Sequence, residues 1–129
     1  MATDVAKRLS FALLLFSAAL LAFSALMHTR AFGKAAVAAS ALAEFYGNAL
    51  KALWLIDSAT MLVLAVLFTV AAFKPAAVSG LGLMLLAPIP AATAALLYTF
   101  IGSFLPAHIL LATALMIATA GLLRTADKS

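Results

Sequence analysis

The chain has 129 residues, of which 67% are hydrophobic and 9% charged, against about a quarter charged in an ordinary soluble domain. Its mean hydropathy of +1.23 and its length leave room for one domain of apolar helices and exclude a soluble fold, which could not hide so much apolar surface. Cysteine is absent, so disulfides, thiolate metal sites and cysteine nucleophiles are excluded, and a scattered net charge of +4 presents no basic face to nucleic acid.

The first apolar run extends from about Leu9 to Met27, between Lys7 and Arg8 on one side and His28, Thr29 and Arg30 on the other. A crossing of ~30 Å of hydrocarbon takes about 20 helical residues, so this run is one membrane helix. A secretory signal has a similar outline, with small residues from Ala22 to Ala25, but the run is long for one.

The next stretch, Ala31 to Asn48, carries Lys34, Glu44 and Tyr46 around an alanine-rich middle of good helix propensity. It reads as a short helix lying in the membrane interface. Gly47 and Asn48 then suit a helix end and the N-cap of the next helix. The alternative is a second membrane helix that starts early and projects from the bilayer.

The second crossing runs from Trp54 to Phe73, apolar apart from Asp57, Ser58, Thr60 and Thr69. Lys51 and Trp54 stand where a snorkelling cation and an aromatic anchor belong. A short link, Lys74 to Ala77, leads into the third run, so the second and third helices are expected to be antiparallel neighbours. That third run, Val78 to about Phe100, contains Pro88 and Pro90, each lacking a backbone donor, which predicts a kink or unwound segment between Leu86 and Ala92. The freed carbonyls must face a neighbouring helix or line a ligand cavity, as broken helices of transporters do. Gly102, Ser103 and Pro106 mark the last turn, and the fourth run goes from about Ala107 to Leu123, stopped by Arg124.

Five basic residues, Lys7, Arg8, Lys74, Arg124 and Lys128, fall on the side of the termini, and three, Arg30, Lys34 and Lys51, on the other. The excess predicts that both termini are cytoplasmic. Small residues recur at spacings of three and four in the first run (Ala18, Ala22, Ala25) and the fourth (Ala114, Ala118, Gly121). Such stripes let helix backbones approach in lipid, although an alanine-rich composition produces them by chance as well.

Few side chains offer chemistry. In the four-crossing arrangement His28, Asp57 and His108 share one depth, at the end away from the termini. An intramembrane carboxylate costs on the order of 2.5–3.5 kcal/mol, so it tends to face a partner inside the bundle. Two imidazoles and a carboxylate form a common metal-ligand set, which makes these three a candidate metal site. The plainer reading takes the histidines as interfacial caps and lets Asp57 reach headgroups or Lys51. Phosphate loops, dinucleotide fingerprints, nucleophile elbows and paired zinc-binding histidines are all missing, and the histidines stand too near the helix ends to clasp a haem. No cofactor is specified.

A His closing the first run (Ala25-Leu26-Met27-His28), a second helix opening Leu50-Lys51-Ala52-Leu53-Trp54-Leu55-Ile56-Asp57-Ser58, and a His starting the fourth (Pro106-Ala107-His108) resemble a group of small uncharacterised bacterial inner-membrane proteins with four helices. In that group the position after the Trp often carries a His, whereas here the nearest polar residue is Asp57. Small multidrug-resistance transporters match in size but keep an essential Glu in the first helix, which has no acid here. The membrane glutathione-transferase-like family has a charged second-helix motif of which only Asn48 is kept.

These readings predict an all-α fold: a polytopic protein of the bacterial inner membrane, built as an antiparallel four-helix transmembrane bundle. Helices are expected near 9–28, 49–73, 78–100 and 107–124, with an interfacial helix over 35–46. The expected partners are the lipid bilayer and either a second copy or another membrane protein, and the expected role is binding of a lipid, a small apolar ligand or that partner. A transporter or membrane enzyme using the His/Asp site is the alternative.

Overall fold

A computed structural model describes residues 2–126, with side chains from Asp4 onward. The described residues form helices and turns without strands: α1 (Ala2–Ser40), α2 (Glu44–Phe73), α3 (Gly80–Leu86), α4 (Pro88–Phe100) and α5 (Leu105–Ala126). With α3 and α4 taken as one interrupted rod, four helices are long and apolar enough to cross a membrane.

α1 continues past His28 and Arg30 to Ser40 without a break. Its last ten residues, at 1.5 Å each, carry it about 15 Å beyond Arg30 before the turn at Ala41–Ala43. The separate interfacial helix over 35–46 is therefore absent, and the break expected at Gly47 and Asn48 lies earlier. The turn comes at Ala41–Ala43, and Gly47 lies inside α2, where a Cβ would stand 2.5 Å from the Ala39 carbonyl oxygen of α1. With Ala35 and Ala39 buried opposite, the glycine closes the α1–α2 hairpin instead of ending a helix.

Helix packing runs in the order α2, α1, α5, then α3 and α4. α2 has no Cα within 8 Å of α3 or α4, so α2 and the α3–α4 rod are not the close neighbours their short link suggests. The connection is six residues, Lys74 to Ser79. At ~3.3–3.6 Å per extended residue it can bridge about 20 Å, some two helix diameters.

The buried face of α1 follows Ser10, Leu14, Ser17, Leu21 and Ala25, the spacing of three and four that keeps one seam turned inward. Ala18 and Ala25 of the small-residue stripe are buried, whereas Ala22 is exposed. The α5 stripe packs closer still, with Ala114 and Gly121 buried and Gly121 against Gly80 of α3. Around these residues Phe68, Leu83 and Ile117, none of them exposed, fill the centre.

The α3–α4 rod is interrupted at Ala87, as the prolines require. Pro88 and Pro90 have no N–H to give to the carbonyls four residues earlier, yet Ala87 keeps helical angles (φ −57°, ψ −35°). Leu83, Ala87 and Pro90 are buried while Pro88 and Ile89 are exposed, so one side of the interruption faces protein and the other faces out. Ser79 caps α3 by accepting from the Gly82 N–H at 3.0 Å. Gly102, with φ of 99°, ends the α4 region in the left-handed conformation that glycine adopts at little cost.

Candidate functional site

α1 and α2 run antiparallel, so His28 meets the opening turns of α2. The indole of Trp54 lies flat on the imidazole, with ring centres 4.2 Å apart and planes inclined by 6°. Its N–H donates to the His28 carbonyl at 2.8 Å. Trp54 is thus held by α1 and is not simply an anchor reaching for headgroups.

One turn along α2, Ser58 is buried and its Oγ stands 2.8 Å from His28 Nδ1. The same hydroxyl donates to the Trp54 carbonyl at 3.2 Å. A hydroxyl has one proton, so His28 Nδ1–H is the donor toward Ser58. The other ring nitrogen, Nε2, faces Asp57 Oδ2 at 3.7 Å. That is an ion pair when the ring is doubly protonated and longer than a direct hydrogen bond. Asp57 keeps 36% of its side chain exposed and His28 26%, so the carboxylate stands at the edge of the bundle, and its ion-pair partner is His28, not Lys51.

His108 belongs to a different group. It sits in the first turn of α5, where Tyr98 Oη lies 2.6 Å from Nδ1 and Ser103 Oγ 3.1 Å from Nε2. Both ring nitrogens thus have hydroxyl partners across the α4–α5 turn, and Tyr98, expected as an interfacial anchor, supplies one of them. The structure brings His28 and Asp57 together and leaves His108 apart. Among the described residues no three His, Cys, Asp or Glu side chains are grouped to hold a metal ion, so the three-ligand set of His28, Asp57 and His108 is not assembled.

At the opposite end stands a constellation that sequence reading missed. Arg124 donates from Nε to Ser10 Oγ at 3.0 Å, from one terminal nitrogen to the Val78 carbonyl at 3.2 Å, and from the other to the Ala71 carbonyl at 2.7 Å. Ser10 in turn donates to the Ala120 carbonyl at 3.3 Å. One guanidinium thereby ties α1, the end of α2 and the α2–α3 link to α5. In sequence Arg124 is only the cation that stops an apolar run, and Ser10 only a small residue near its start; their separation of 114 positions hides the contact.

Between the two ends, the alanine side of α1 and the facing side of α2 leave a shallow, open apolar groove of about 420 Å³. Ala18, Ala19 and Ala22 form one wall, Leu62, Val66 and Val70 the other. Ala22, read from sequence as a packing residue, lines this groove. No family model, curated protein or solved structure matches the chain.

Proposed function

We propose that the chain is a small multi-pass protein of a bacterial cytoplasmic membrane, with both termini cytoplasmic, whose role is to hold an apolar chain in the α1–α2 groove. The observation that carries this reading is the groove itself, a shallow recess of small side chains walled by branched ones along the apolar stretches of α1 and α2. Acyl chains of lipid fit such a surface through dispersion contacts over its length. A helix of a second copy or of another membrane protein is the other occupant of that chemistry. The orientation rests on the excess of Lys and Arg at the end holding the termini, and the bacterial inner membrane on the resemblance noted above.

Filling the groove with Ala22→Phe tests the reading. Native mass spectra of the purified protein in mild detergent are expected to show bound lipid, or a partner subunit, that the variant loses. Equal retention by both proteins would refute it.

A second reading, a transporter or membrane enzyme working at the far end, is favoured by one observation, the facing of His28 Nε2 and Asp57 Oδ2. Asp57→Asn keeps the shape and removes the charge. On the groove reading this variant binds as the native protein does; loss of transport or turnover with lipid binding intact would favour the second reading.

A further inference from the structure

At the end of the molecule that holds the termini, the first turns of α1, the α2–α3 link and the last turn of α5 enclose a recess of about 450 Å³. Its floor is apolar, with Phe11, Ala72 and Val78, and its rim carries Lys7, Arg8 and Arg124. Lys74 follows the end of α2 at the same level. Against these four cations, the one carboxylate at this end among the described residues is Asp4, about a turn before Lys7 and Arg8. With Lys128 and Asp127 counted from the sequence, five basic side chains stand against two acidic ones at this end, so the excess is positive.

Arg124 is oriented by its three protein acceptors, which use three of the five N–H groups of a guanidinium. Among the described residues this leaves one N–H on each terminal nitrogen for further acceptors such as phosphate oxygens. Lys7 and Arg8 are exposed beside it. The spans begin and end here, so the recess sits at headgroup depth, where a phosphate and the first methylenes of a chain arrive together.

We infer that this recess binds the headgroup of an anionic phospholipid, with the phosphate between Arg124, Arg8 and Lys7 and the glycerol and upper chain against Phe11 and Val78. The inference rests on the membrane-spanning reading of the chain but not on the α1–α2 groove, which lies elsewhere.

The test uses the full chain in nanodiscs of equal phosphatidylglycerol and phosphatidylcholine, with the lipid that stays bound counted by native mass spectrometry after release into mild detergent. Phosphatidylglycerol is expected to be retained in preference. Lys7→Gln and Arg8→Gln are each expected to lower its retention roughly fivefold, the effect of one basic side chain on attraction to an anionic lipid surface. A pair of changes at the opposite end, Arg30→Gln with Lys34→Gln, is expected to leave the preference intact. Unchanged retention in the Lys7 and Arg8 variants would overturn the site, as would an equal loss in the opposite-end variant, which would mark a general charge effect. Binding of inorganic phosphate without any preference for phosphatidylglycerol over phosphatidylcholine would overturn the lipid as ligand and leave a phosphate site. Ala22→Phe is expected to keep the preference, so failure of the groove and failure of the recess are read separately.

Discussion

Gly80 of α3 and Gly121 of α5 meet backbone to backbone: a Cβ on Gly80 would lie 2.6 Å from the Gly121 carbonyl oxygen, and one on Gly121 2.7 Å from that of Gly80. No real Cβ sits so near a backbone oxygen, so either substitution must push the helices apart. Gly121→Ala is expected to destabilise the protein by about 1–3 kcal/mol, the cost of overpacking, even though alanine has the better helix propensity by about 1 kcal/mol. Gly33, with nothing within 4 Å of its would-be Cβ, is the control. Gly33→Ala is expected to leave stability unchanged or raise it, as thermal unfolding followed by circular dichroism in detergent would show.

The serines on the seam of α1 are expected to divide in the same way. Ser10 receives from Arg124 and donates to Ala120, whereas the Ser17 hydroxyl is buried with no hydrogen-bond partner among the described residues. Removing one half of a pair strands the other half, at a cost of about 1–3 kcal/mol, while deleting an unpaired polar atom removes a penalty. Ser10→Ala should therefore lower the midpoint of unfolding, and Ser17→Ala should leave it level or raise it. A fall for both would mean that Ser17 has a partner in the folded protein.

Arg124 holds carbonyls of two other segments through a planar fork, so charge alone does not replace it. Arg124→Gln is expected to destabilise by about 2 kcal/mol or more, since hydrogen bonds from a charged donor contribute ~1.5–3 kcal/mol each. Arg124→Lys should recover less than half of that loss. Full recovery by lysine would show that the interaction is with a diffuse negative potential and not with the three named acceptors.

At the far end, Trp54→Phe keeps an aromatic face on His28 but loses the indole N–H bond to its carbonyl, an expected loss of about 1 kcal/mol. Asp57→Asn is expected to change stability by less than about 1 kcal/mol, because a part-exposed pair contributes little. A large loss for Asp57→Asn alone would move the weight of this contact from Trp54 and Ser58 to the ion pair.

The number of long apolar helices was legible because apolar runs of membrane length are a local signal, and the interruption at Ala87 because Pro88 and Pro90 remove donors wherever they stand. What α2 packs on was not legible. The short link suggested adjacency to the third crossing, but Pro75 and its neighbours form a connection long enough to reach past it. Gly47 misled for a related reason: a glycine that ends a helix and one that admits a neighbouring backbone look alike until Ala39 is placed opposite. For the candidate site, the pairing of His28 with Asp57 was suggested by the depth expected for both, while His108, expected at that depth too, meets Tyr98 and Ser103. Depth is set by position along each helix, but proximity also needs the rotation of the helix and its neighbours, which one sequence does not encode locally. Ser58 was visible only as a residue beside Asp57, and the contact of Arg124 with Ser10 had no local signal at all.

The central claim is that the chain crosses a membrane four times with both ends on the cytoplasmic side. The absence of native cysteine makes single introduced thiols a clean report of sidedness. Ser40→Cys, at the end of the α1–α2 hairpin, is expected to react with an impermeant maleimide in intact spheroplasts, and Asp127→Cys only after the membrane is opened. Reaction of Asp127→Cys in intact spheroplasts, with Ser40→Cys protected, would contradict the orientation. Ready reaction of both in the soluble fraction of lysed cells would contradict the membrane account itself.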